Sequence, residues 1–215
     1  MQTLTKLQTN LPTTQEEETD NLLAATQGYG SEKLLKFRKG KFFVMQEEVP
    51  LGTEYVAHAS EMTYCWIKFS ADGQVVERRH GRAADGYEPP KREELDDWND
   101  KSKWRVIDGV PRDPWAFQHL LPLEHLETGA LSIFTTGSVG GEIGVKELVY
   151  QWAKRAKKGQ RALPIIKLAS IDMMSKKYGA VPRPHFPVVG WDDVVPSAGG
   201  GKMSTANQLD DAIPF

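Results

Sequence analysis

Between residues 33 and 191 the apolar residues fall in short runs, each cut off by Gly, Pro or Asp, and a single stretch keeps helical spacing. Short bounded runs rich in aromatic and β-branched residues are strand and turn language. They predict strands over Leu34–Met45, Thr53–Ser70 (bent or broken near Ala59), Gln74–Arg79, Lys103–Asp108, Trp115–Leu121, Ala130–Thr135, Leu163–Ser170 and His185–Gly190. The exception is Glu142–Lys158, where Val145, Leu148, Val149, Trp152 and Ala156 line one face of a helix. The expected fold is therefore β-rich: an OB-like antiparallel barrel or curved sheet with one inserted amphipathic helix. Residues 84–102, charged and carrying Pro89 and Pro90, read as a long excursion between strands, with Trp98 either docked back on the body or offered to a partner.

The ends differ from the body. Residues 1–32 are rich in Thr, Gln and Glu and carry a net −4, and 192–215 carry −3 on a Gly, Ser, Pro, Asn and Gln background. Both are expected to be flexible segments. The body between them is +5 although the whole chain is −2. A basic body between acidic ends suits a polyanionic partner, and it also suits an ordinary solvated surface. Cys65 is the only cysteine, so no intrachain disulfide and no four-thiolate zinc site is expected. No apolar run approaches the roughly 18 residues of a membrane helix. The opening residues lack the pattern of a secretion signal, and a reducing cytoplasm is the expected compartment.

Three basic clusters are candidates for nucleic-acid contact. In "TYCWIKFS", strand alternation puts Tyr64, Trp66 and Lys68 on one face and Cys65, Ile67 and Phe69 on the other. The first set reads equally as a base-stacking platform beside a cation or as a second hydrophobic layer. In "EKLLKFRKGKFFVM", Lys36 and Arg38 share a face opposite Leu35 and Phe37, and with Lys39 and Lys41 they form an expected edge stripe. In "VVERRHGR", Arg78, Arg79 and Arg82 gather at a strand end. Cations late in the helix, from Lys154 to Lys158, are also favoured by the helix dipole and weigh less.

The last six residues read "DDAIPF" after a polar leash. A Phe ring with a free carboxylate suits a pocket with a basic rim, acidic neighbours add electrostatic contacts, and Pro214 keeps the backbone extended. This tip resembles that of the bacterial single-stranded DNA-binding (SSB) proteins, in which acidic residues precede a terminal Ile-Pro-Phe. The resemblance covers the tip and the character of the linker, with Ala212 standing where that family usually has a third acid. It implies that Phe215 and Pro214 anchor a partner, with Ile213, Asp210 and Asp211 in support. The implied partners are single-stranded DNA for the body and replication, recombination or repair proteins for the tip, as in a phage or mobile-element SSB analogue. Residues 1–32, 33–191 and 192–215 would then be an acidic lead, an ssDNA-binding domain and a linker with its tip.

Rival chemistry ranks lower. Gly137, Gly140, Gly141 and Gly144 fit neither a P-loop nor a dinucleotide fingerprint and are expected to shape the turn into the helix. His58, His80, His119, His125 and Cys65 show no metal spacing, and Asp96, Asp97 and Asp100 read as a solvated loop. No nucleophile elbow is present. The expectation is a nonenzymatic protein without cofactor or metal. The alternative is an adaptor or decoy that uses the tip without binding DNA; a metal-dependent nuclease comes third. The sequence does not set the oligomeric state, and a homo-oligomer is compatible with it.

Overall fold

The computed structural model describes residues 33–107 and 109–192. The flexible segments expected over residues 1–32 and 192–215, including the tip residues Asp210, Asp211, Ile213, Pro214 and Phe215, lie outside the described residues except for Asp192. Among those described, fourteen strands and one α-helix appear. Ten strands form one strongly curled, half-barrel sheet. In order along it run β14 (Val188–Asp192), β11 (Leu163–Lys167), β4 (Glu54–Ala57), β9 (Trp115–His125), β10 (Leu131–Thr136), β1 (Lys33–Arg38), β2 (Lys41–Val44) and β3 (Glu47–Val49). The long strand β9 shares one edge between β4 at its C-terminal end and β5 (Thr63–Phe69) at its N-terminal end, and β5 in turn carries β6 (Val75–Arg82). Two short hairpins stand apart, β7 (Arg105–Ile107) with β8 (Val110–Arg112) and β12 (Ala169–Ser175) with β13 (Gly179–His185).

The curved sheet with one helix is the expected architecture, with one departure. β1 and β10 run parallel, whereas every other paired neighbour is antiparallel. A parallel pair needs a long connection, and residues 39–130 supply it. The expected strand Leu34–Met45 is in fact a hairpin. Lys39 and Gly40 both take positive φ, 49° and 84°, the pattern of the two-residue turn that matches strand twist. The break expected near Ala59 is present as a 3-10 turn over Ala59–Glu61.

Pleating divides the apolar residues between two faces. Leu35, Phe42, Tyr55, Ala57, Leu121, Leu123 and Phe134 belong to the larger cluster, together with Val145 and Leu148 of the helix. Leu34, Cys65, Ile67, Phe69, Leu120 and Ile133 form the second. Burial pushes the Cys65 thiol up to about 11 against a weaker pull from Arg78, which leaves it protonated and unreactive at neutral pH.

The helix, α1 (Val139–Ala156), begins three residues before the expected start. Ser138 caps it, its hydroxyl accepting from the Gly141 N–H at 3.1 Å. The glycines do more than shape a turn. Gly140, Gly141 and Gly144 are buried inside the helix. A Cβ on them would meet Arg183, Thr136 and the Pro184 carbonyl at 2.8, 1.8 and 2.7 Å. They let α1 lie against β10 and the β12–β13 hairpin at backbone distance.

Candidate nucleic-acid interface

Strand register decides which side chains share the site. Tyr64 pairs with His119, Trp66 with Phe117 and Lys68 with Trp115, so all six lie on one face of β5 and β9. That is the face on which α1 packs, continued beyond the end of the helix. The rings form a file. Tyr64 stacks on Phe117 at 6.0 Å and 20°, Phe117 leans on Trp66 at 4.9 Å, and Trp66 stands edge-on to Trp115 at 6.5 Å. Tyr64, Trp66 and Phe117 are half-buried and Trp115 is buried. Cys65, Ile67 and Phe69 face the opposite cluster, as alternation predicts.

Residues 83–104 fold back over one end of this face and cover it there. The Trp66 indole donates to the Pro90 carbonyl at 2.9 Å, and the Trp115 indole to Asp96 Oδ1 at 3.0 Å. Lys68 binds Asp96 and lies 2.7 Å from Asp97. Hydrogen bonds that Lys68 donates to Asp96 and Asp97 raise its pKa, and the same contact lowers that of Asp96. Arg92 forks onto Asp113 with contacts of 2.7 to 3.0 Å and lies 5.4 Å from the Trp98 ring. Asp96, Asp97 and Asp100 are therefore partners of this protein's own lysines, Lys68 and Lys103, and no group of three side chains among the described residues is placed to hold a metal ion. Trp98 docks back while staying 37% exposed.

The other basic residues are dispersed. Arg79 shares the aromatic face, 5.2 Å from the Trp115 ring, and pairs with Glu77. Arg78 faces the other way, opposite Ile67, and is exposed. Arg82 pairs with Asp85 at 2.8 Å on open surface, where solvent screens the contact. The edge stripe of β1 does not form as expected. Lys36 is buried at 9% exposure because β1 lies inside the sheet between β10 and β2. Arg38 leans on Phe43 at 5.6 Å, Lys41 pairs with Glu48, and Lys39 is exposed in the turn.

Where the helix stops covering the face and the excursion has not yet begun to, a cleft of about 390 Å³ opens. Tyr64, Phe117 and His119 floor it, Glu142 and Lys146 stand on the helix side, and Tyr87, Glu88 and Pro89 on the other. Tyr87 lies flat on Gly81, where a Cβ would come within 2.3 Å of its ring. Glu142 and Lys146 pair one helical turn apart, a hydrogen bond that lowers the carboxyl and raises the amine. His119 is 1% exposed and neither ring nitrogen completes a hydrogen bond.

Burial holds the His119 imidazole below its ordinary 6.5, outweighing the opposing charge of Glu142 and a small pull from the Thr136 backbone. The native protein thus keeps this histidine neutral while the unfolded chain takes up a proton. Its contribution is present above pH 6.5 and is lost as pH falls through the native value. Denaturation midpoints measured between pH 7.5 and 5 should fall on acidification, and His119→Phe should flatten that slope. An equal slope in the variant would assign the acid sensitivity elsewhere.

Sequence alternation brought Tyr64, Trp66 and Lys68 together correctly but missed their partners. The signal was present in "WAFQH", where Trp115, Phe117 and His119 alternate on one face. No comparable local signal points to Tyr87, Glu142 or Lys146, which arrive from the excursion and the helix. Comparison with protein-family models, curated proteins and solved structures finds no match to this chain.

Proposed function

We propose that the protein is a nonenzymatic single-stranded DNA-binding protein whose body stacks bases along β5 and β9 and whose residues 210–215 recruit genome-maintenance proteins. The observation that carries this reading is the file Tyr64–Phe117–Trp66, three half-buried rings each beside the next on one face of the strongly curled mixed sheet. Stacking on such rings is sequence-tolerant, because every base has a flat face. Arg79, on the same face beside Glu77, supplies a phosphate contact, whereas Arg78 is exposed on the opposite face of β6 and stands apart from the file. The SSB-like tip supports the same assignment from the other end of the chain, with Phe215 and Pro214 as anchors and Asp210 and Asp211 meeting cations of the partner.

A second reading draws on the ion pairs. Lys41, Lys68 and Arg82 already hold carboxylates of their own chain, which leaves fewer cations for phosphate and favours an adaptor that only presents the tip.

Titration with oligo-dT, followed through tryptophan emission, separates the two. The DNA-binding reading expects quenching that weakens as salt is added, since phosphate contacts release counterions. No response at low salt would favour the adaptor, and Mg²⁺-dependent cleavage of the oligonucleotide would favour a nuclease. Removal of residues 210–215 is expected to leave DNA affinity unchanged or slightly higher, because an acidic segment competes with phosphate, while abolishing capture of a tip-binding protein. A large loss of DNA affinity in that truncation would contradict the division of labour.

A further inference from the structure

The cleft ends the aromatic file. At about 390 Å³ it is at the small end of the roughly 300–1,000 Å³ typical of small-molecule sites, so it accepts one compact group and no length of polymer. Its chemistry narrows the group further. Tyr64 and Phe117 are stacked nearly parallel and offer flat apolar surface, which favours a planar ring. Glu142 and Lys146 put an acceptor and a donor on one wall, so the ring should carry polar edges. Beneath them His119 is buried, and apart from a loose approach to the Thr136 backbone its ring nitrogens complete no hydrogen bond, an unmet capacity that native interiors rarely leave. A bare phosphate is a poor occupant, since Glu88 and Glu142 line the opening and the floor is aromatic. An apolar side chain would fill the space and leave His119 unanswered.

We propose that the cleft receives a single nucleobase, turned out of a strand bound along the aromatic file, a proposal that rests on the ssDNA-binding reading. Neighbouring bases stack on Phe117 and Trp66, and the next one turns in past Tyr64 with Tyr87 at its other side. The Glu142–Lys146 wall meets its polar edge. Tyr64 stands edge-on to the His119 imidazole at 5.2 Å, so the buried ring backs the surface on which the base lies. A base in a single strand has no pairing partner to give up, so turning it out costs little.

The test uses the full chain and oligo-dT with one 5-iodo-deoxyuridine, cross-linked by light and mapped by mass spectrometry. Cross-links at Tyr64, Tyr87 or Phe117 are expected. Cross-links confined to sites outside the cleft overturn this proposal and leave DNA binding standing, whereas an oligonucleotide that never binds the chain overturns both. Tyr87→Ala should weaken oligo-dT binding about 5- to 100-fold, the range for removing one stacking ring. Ala83 also lines the cleft, and Ala83→Leu, which narrows it without removing any ring, should cause a loss in the same range in protein that circular dichroism shows to be folded. Parent-like affinity in a folded Ala83→Leu protein overturns the proposal. Should either variant fail to fold, the cross-link map of the unaltered chain decides.

Discussion

Gly141→Ala is expected to destabilise the protein by about 3 kcal/mol, the upper end of overpacking costs, although alanine is the better helix former by about 1 kcal/mol. The added Cβ would lie 1.8 Å from Thr136 Oγ1, 2.6 Å from its Cβ and 2.7 Å from its Cγ2. Thr136 cannot move away. It is buried and β-branched, and its hydroxyl lies 3.1 Å from Ser138 Oγ and accepts from the Ser138 N–H at 3.3 Å. The helix must lift instead, and lifting it withdraws Val145 and Leu148 from the larger core, where they are 0% and 1% exposed. Urea denaturation monitored by far-ultraviolet circular dichroism gives the difference directly. A variant as stable as the parent would mean that α1 is not seated on β10 as described.

The same glycine shows where reading from the chain stops. "TTGSVGGEIGVKE" contains four glycines, and helix propensity alone starts the helix after most of them, at Glu142. Their use depends on how closely β10 and the β12–β13 hairpin approach, which no local pattern records. The hairpin itself was hidden for a related reason. β13 contains Pro182 and Pro184, which argue against a strand until pairing is known. Both stand at the same parity, opposite Asp172 and Ser170, so the missing N–H groups turn away from β12 and interrupt no ladder bond.

Elements held by local alternation were legible. Thr63–Phe69 displays its two faces as read, because one face must be buried and a one-residue slip would invert it. The candidate site was half legible for the same reason. Its β5 side follows from alternation within one strand, whereas Lys36 was misplaced because exposure depends on whether β1 lies at an edge. The neutralisation of Lys68 by Asp96 and Asp97 was illegible, since it joins residues 28 and 29 positions apart through an irregular segment.

That irregular segment rests on one side chain more than on any other. Arg92 is 11% exposed. Its guanidinium donates to both oxygens of Asp113 and to the Asp96 carbonyl at 3.1 Å, and it covers the Trp98 ring. Arg92→Ala therefore removes the link from the excursion to the start of β9 and leaves the Asp113 carboxylate without its cation. Breaking a largely buried, forked pair costs about 3 kcal/mol, and here the loss should appear as local release before global unfolding. Limited proteolysis should cut faster between residues 83 and 104, and tryptophan emission should shift to the red as Trp66 and Trp115 lose Pro90 and Asp96. Arg92→Lys should recover little of either, since an ammonium cannot fork onto a carboxylate. Tyr87, Glu88 and Pro89 belong to the same segment, so any ligand held in the cleft should bind more weakly in Arg92→Ala although Arg92 does not line it. Unchanged proteolysis and emission would show that the excursion is held from elsewhere. Faster proteolysis with undiminished oligonucleotide binding would show that the far wall of the cleft takes no part in recognition, and stacking on β5 and β9 would then account for binding alone.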